Sequence, residues 1–421
     1  MPGDGGSARD VADAADAVAR RSYGKLVAFL AARTRDVAGA EDALSEAFAA
    51  ALEDWPANGV PSSPEAWLMA VAKRRMIDAA RRRQTSEGAA EHLRLLTELA
   101  EFDAIDEGKA EIPDDRLALM FACAHPAIDA GVRAPLILQT ILGFDAAAIG
   151  SAFLVAPATM GQRLVRAKTR IRQAGIPFRV PEREELRDRL ATVLEAIYAA
   201  FAEGWSDPAG TEARRRNLAT EGIWLGRLVA SLLPEEAEAL GLLALMLHAE
   251  ARRRARRDER GEYVPLAEQD PARWDAEMID EAEALLFHAS TLGAVGRFQL
   301  EAAVQSAHAA RRLTGSTDWA AIAHIYDNLL ALSESPVVAI NRAIAIAEDR
   351  GPAQGLAALN ALSGDERLAE YQPYWAARAG LLARTGDIEA AGLSYERAIG
   401  LESDPAVRRF LQQRHARLRQ R

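Results

Sequence analysis

Residues 145–173 read DAAAIGSAFLVAPATMGQRLVRAKTRIRQ. Asp145–Leu154 reads as a short helix, and the tetrapeptide VAPA then turns the chain. Pro157 suits the first position of a second helix, where its missing N–H costs no hydrogen bond. That helix ends at Gly175, which can adopt a left-handed cap, and Pro177 blocks continuation. Met160, Leu164, Ala167 and Ile171 recur at helical spacing and predict a buried stripe. The other side carries Thr159, Gln162, Arg163, Arg166, Lys168, Thr169 and Arg170. Two helices joined by a short turn, the second basic, predict a helix-turn-helix. Its polar face can place Gln and Arg at base edges and the remaining Arg and Thr at phosphates. Gly150 falls where such helices cross closely.

Upstream, Val37, Ala40, Leu44, Ala47, Phe48, Ala51 and Trp55 form one stripe of an amphipathic helix, with Glu41, Asp42, Ser45 and Glu46 off it. Trp55-Pro56 is expected to stop this helix, leaving PANGVPSS as a loop. Ser63 as N-cap and Pro64 at the first position then open a helix through EAWLMAVAKRRMIDAARRR. It holds the basic residues Lys73, Arg74, Arg75, Arg81, Arg82 and Arg83. Next, Thr85–Asp115 carries ten acidic residues against two basic ones, most of the chain's net charge of −10. Pro157–Gln173 has five basic residues and no acidic one. The overall charge disfavours a generic DNA-binding protein, whereas this basic, acidic, basic order concentrates cations on two helices.

The 421 residues are 49% hydrophobic and 27% charged, enough for several cores and unlike a disordered or disulfide-framed chain. Apolar residues recur at helical spacing throughout and strand signals are almost absent, so the fold is expected to be all-α. The single cysteine, Cys123, excludes an intrachain disulfide and a Cys-based zinc site. His125 lies two residues on, a spacing whose side chains do not face each other on a helix. No phosphate loop, dinucleotide fingerprint or His-x-x-x-His pair is present, and the seven histidines are scattered. No catalytic residue, metal or cofactor is therefore assigned, and an enzyme is not expected. No apolar run reaches the roughly 18 residues a membrane span needs, and the N-terminus lacks a secretory pattern, so a cytoplasmic protein is expected.

Residues 181–290 predict a further helical region containing the arginine run ARRRARR (251–257) and EQDPARWD. The run can face solvent or pair with the acidic segment. In the last third, Trp375, Ala379, Leu382, Gly386, Ala391, Tyr395 and Ala398 match tetratricopeptide spacing. An offset of 36 places Ala343 and Ile346 under Ala379 and Leu382, with Gly355 weakening the fit. Such stacks provide concave surfaces for partners.

On these segments the chain resembles a bacterial RNA polymerase sigma factor of the sigma-70 family, in the extracytoplasmic-function group whose members carry a long helical C-terminal extension. AEDALSEAFAAALEDWP resembles the region 2 helix that docks on the β′ clamp helices of core polymerase. PEAWLMAVAKRRMIDAARRR resembles the helix that meets the −10 element. FDAAAIGSAFLVAPATMGQRLVRAKTRI resembles the region 4 reader of the −35 element. FACAHPAI, FAEGWS, GRFQLEAAVQSAHA and SPVVAINRAIAIAE resemble the extended class. The chain departs from the family pattern at Ser45, where Gln is usual, at Arg74, where Asn is common, and at Gly150 and Gly161, which replace Ala.

The resemblance implies a tail over 1–17, region 2 over 18–86, a flexible acidic linker over 87–113 and region 4 over 114–176. A helical extension follows over 181–290, then a tetratricopeptide-like domain over 291–421. It implies polymerase contacts at Glu41, Asp42, Ser45 and Glu46. It implies −10 contacts at Asn58, Ser62, Trp67, Lys73, Arg74, Arg75, Arg81 and Arg82, the loop 55–63 being placed to capture a flipped base. The −35 contacts fall on the Thr159–Arg170 face. Expected partners are core RNA polymerase, promoter DNA and, through the extension, a small YCII-related protein or the chain's own sigma modules. The competing reading is a helix-turn-helix regulator with a tetratricopeptide sensor, which explains 145–175 and 337–400 but not 36–83.

Overall fold

The computed structural model describes residues 22–83, 114–153, 155–205 and 213–418. The tail expected over 1–17 and the linker over 87–113 lie outside them. The fold is all-α, as the periodicity predicts, with one isolated β-bridge between Arg257 and Tyr263 among the described residues. It divides into two compact units, Met1–Gly204 with Arg214–Gly222, and Trp205–Ala213 with Ile223–Arg421.

The first unit opens with α1 (22–34) and α2 (Val37–Asn58). Asp36 caps α2 by accepting the Gly39 N–H at 3.1 Å, and the expected stripe is buried apart from Phe48, which is half-buried. The helix does not stop at Trp55-Pro56, as the sequence predicts, but runs on to Asn58. A proline in a last turn forfeits a single backbone bond, and the real end is Gly59, at φ 82°, whose N–H bonds the Trp55 carbonyl. α3 (Pro64–Arg83) starts where expected and packs back on α2, the Trp55 and Trp67 rings meeting edge to face at 5.6 Å.

α4 (Arg116–Cys123) and α5 (Ala130–Leu142) follow, then α6 (Ala146–Ala152) and α7 (Pro157–Gln173). Cys123 is buried, its Sγ 3.5 Å from Thr140 Oγ1, and burial pushes the thiol up to about 12. His125 is occupied by its own turn, its Nδ1 accepting the Ala127 N–H at 3.1 Å. α8 (Arg183–Trp205) joins this unit through Gly204. There Arg189 reaches the Phe121 carbonyl at 3.0 Å and lies over the Phe121 ring.

In the second unit α10 (Ala237–Ala251) is buried along most of its length and packs on α11 (Ala276–Thr291) and α12 (Arg297–Ala309). It follows α9 (Ala213–Leu232), which the division between units crosses. Gly296 has no side chain to cap α12, and the Glu238 carboxylate does so instead, accepting the Phe298 and Gln299 N–H groups at 3.0 and 3.1 Å. The short α13 (Arg311–Thr314) leads to α14 (Trp319–Leu332), α15 (Pro336–Arg350) and α16 (Pro352–Asn360). α17 (Gln372–Thr385), α18 (Ile388–Leu401) and α19 (Pro405–Leu418) complete the unit. Ala379, Leu382, Ala391, Tyr395 and Ala398 form one buried cluster between α17 and α18, and Gly386 turns the chain at φ 90°.

The arginine run is drawn into this unit. Arg252 is half-buried and donates to Gln305 and to the His248 carbonyl, and desolvation, with Arg256 and Arg311 nearby, lowers its pKa to about 10. Arg256 sits over the Trp205 ring and donates to the Trp205 carbonyl, while Arg257 pairs with Asp404. The acidic segment once offered as their partner lies outside the described residues, save Asp114 and Asp115 at its end.

Candidate nucleic-acid interface

The helix-turn-helix is built as its residues dictate. Asp145 caps α6 by accepting the Ala148 N–H at 2.6 Å. A Cβ on Gly150 would lie 2.6 Å from the Val155 carbonyl oxygen, so the glycine admits the turn itself. Met160, Leu164, Ala167 and Ile171 are buried, which turns the opposite face of α7 outward. Thr159, Gln162, Arg163, Arg166 and Arg170 are exposed, and Thr169 is half-buried with its hydroxyl on the Val165 carbonyl. Val165, not singled out from the sequence, stands 63% exposed among them. Its spacing from Gln162 and Thr169 was the available signal.

Lys168 points elsewhere. It pairs with Glu41 of α2, each side chain only 11% exposed, and Arg172 reaches Asp36 at 3.5 Å. Burial outweighs the attraction of Lys168 and holds the Glu41 carboxyl above its ordinary range, and Glu41 Oε1 has no hydrogen bond. The same contact continues along α1. Tyr23 covers Gly143, a Cβ on Gly24 would fall 2.1 Å from the Ile141 carbonyl oxygen, and Arg33 pairs with Asp115 at 3.0 Å.

On α2, Asp42 and Ser45 are exposed and Glu46 pairs with Arg75 at 3.3 Å, both about half exposed. On α3, Trp67 and Lys73 are half-buried and Arg74 is exposed. The side chains of Arg81 and Arg82 lie outside the described residues. Asn58 is exposed at the end of α2, donating to Asp54 at 2.8 Å, and Ser62 is exposed beyond it. α7 thus gathers the expected −35 residues except Lys168, and α3, the end of α2 and the connection between them gather the described residues expected to meet the −10 element.

Among the described residues no cluster of three or more His, Cys, Asp or Glu could hold a metal ion, and no helix is long and apolar enough to cross a membrane. Residues 18–86 match the model of sigma-70 region 2, and residues 189–290 match a family of unknown function, DUF6596. No solved structure matches the chain. An uncharacterized protein of Rhizobium meliloti (strain 1021) is 38% identical over 377 residues, covering 88% of each chain. The chain therefore belongs to one family with that Rhizobium protein, and its N-terminal module is a sigma-70 region 2, the part of an RNA polymerase sigma factor that binds core polymerase and promoter DNA.

Proposed function

We infer that this protein is a sigma factor of the extracytoplasmic-function group that directs core polymerase to promoters through both a −10 and a −35 element. The observation that carries this reading is the exposed face of α7, with Gln162, Arg163, Arg166 and Arg170, in one chain with a region 2 module. Asp42, Ser45 and Glu46, with Glu41 once freed, serve the polymerase. Asn58, Ser62, Trp67, Lys73, Arg74 and Arg75 of the described surface, with Arg81 and Arg82, serve the −10 element. The helical extension is the regulatory part, its partner a small YCII-related protein or the sigma modules themselves.

The two elements lie about 25 base pairs apart, or about 85 Å along duplex DNA. Helices α2 and α7 touch. The arrangement with Lys168 on Glu41 is accordingly the form held off the promoter, and reading both elements requires the two modules to part. Run-off transcription with core polymerase, followed by start-site mapping and base substitution upstream, tests the reading. Starts preceded by two elements whose substitution abolishes the transcript support it, and transcription indifferent to the upstream bases contradicts it.

A further inference from the structure

Gly161 and Val165 lie one turn apart on α7, beside Gln162, Arg166 and Thr169. The fold explains neither residue. Glycine is among the least favourable residues in a helix interior and valine is a weak helix former. Val165 recovers nothing by burial, being 63% exposed. A Cβ on Gly161 would meet just one neighbour, the Ala146 Cβ, at an ordinary 3.7 Å, and the residue has no positive φ. Gly150, in the first helix of the same motif, is different, since there a Cβ would collide with backbone. Alanine would fit at 161 and would strengthen the helix.

The two choices make sense together. Helical side chains lean toward the N-terminus of their helix, so Val165 leans toward the bare backbone one turn earlier at Gly161, and no atom of Val165 comes within 4 Å of where a Cβ on Gly161 would stand. The result is a shallow apolar notch in a face otherwise made of amide, hydroxyl and guanidinium groups. In the major groove one base-edge group is apolar, the C5 methyl of thymine. The absent side chain at 161 lets the helix backbone approach a base pair closely. Gln162 and Arg166 flank the notch as donors for adjacent base edges.

We propose that Gly161 and Val165 form a methyl-reading notch that selects thymine within the −35 element. This rests on α7 being the reader of that element. The experiment uses the full chain with core polymerase on the promoter whose start has been mapped. Each thymine of the −35 element is replaced in turn by deoxyuridine, which removes the methyl and keeps every hydrogen-bonding group. For the unaltered protein, one such replacement lowers transcription about fourfold, the effect of losing one buried methyl. With Val165→Ala the same replacement has no effect.

Gly161→Ala separates this role from a structural one. It raises the thermal midpoint by a few degrees and lowers transcription severalfold, whereas a glycine with no ligand would leave transcription unchanged. If deoxyuridine is silent at every position while base substitutions in the element still abolish transcription, the notch is wrong and the −35 reading stands. If no −35 substitution matters, α7 is not the reader and both readings fall.

Discussion

Lys168 of the helix-turn-helix and Glu41 of the region 2 helix form an ion pair in which each side chain is 11% exposed. The pair joins two surfaces with different proposed roles, since Glu41 lies beside Asp42 and Ser45 and Lys168 borders the basic face of α7. A buried pair is worth little against an apolar contact, but removing one partner strands the other. The two partners differ in how well they tolerate being stranded. Lysine has a long stem that can carry its ammonium to water, whereas Glu41 Oε1 already lacks a hydrogen bond.

Lys168→Ala should therefore destabilise the first unit by about 3 kcal/mol, and Glu41→Gln by distinctly less. Urea unfolding of both variants checks the order. Equal losses would mean that burial is shared symmetrically and that Glu41 is not held at a cost.

Asp42 and Glu46 lie on the exposed side of α2, and the partner of Glu46, Arg75, is itself half exposed. Such a pair contributes at most about 1 kcal/mol, so reversing both acids to Lys should leave helix content unchanged. Affinity for core polymerase should fall at least tenfold in a pull-down or fluorescence titration. Unchanged affinity would remove this face as the docking surface.

Arg163 and Arg166 are exposed on α7. Replacing either with Ala should weaken use of a −35-dependent promoter by about 1–3 kcal/mol if it reads a base. Circular dichroism should be unaltered, because neither side chain belongs to the buried stripe. Full promoter use by the double variant would show that the reader lies elsewhere.

The second unit should be acid-sensitive through two histidines, the buried His248 and the half-buried His308. Burial and then Arg252 and Arg312 lower His248 to about 4, and burial with Arg252 and Arg311 lowers His308 to about 4. Glu283 stands 3.5 Å from His248 Nε2, and His308 meets the Trp319 ring. Both histidines are neutral when folded, whereas an unfolded chain binds protons from about pH 6.5 downward. Their contribution is complete above that pH and is lost as pH falls toward about 4. At pH 5 the expected loss is about 2 kcal/mol per histidine relative to pH 7. Urea midpoints at the two pH values measure it, and a His248→Gln variant should flatten the difference. A midpoint unchanged between pH 7 and pH 5 would contradict it.

Much of this was legible in periodicity. The stripe Met160, Leu164, Ala167, Ile171 and the hairpin residues Ala379, Leu382, Ala391 and Ala398 are buried as their spacing requires, because period and small size together dictate which face packs. Pro56 misled, since proline breaks helix interiors but is cheap in a last turn closed by a glycine such as Gly59. Gly355 read as a poor match to its repeat and proves a requirement: a Cβ there would lie 2.3 Å from the Ala347 Cβ. The arginine run 252–257 read as either solvated or paired with the acidic segment, because composition cannot show a ring such as Trp205 arriving from 51 residues earlier to cover Arg256. The Glu41–Lys168 pair spans 127 residues, and no local pattern joins positions so far apart.

The central claim is that this chain reads promoter DNA as part of a polymerase. The most direct measurement is a footprint and run-off assay on one promoter fragment with the chain alone, with core polymerase alone and with both. The account predicts protection over both elements and a single defined start when chain and core are combined, and neither from either component alone. Specific protection of duplex DNA by the chain alone, with no transcript when core is added, would contradict it and leave a helix-turn-helix regulator in its place.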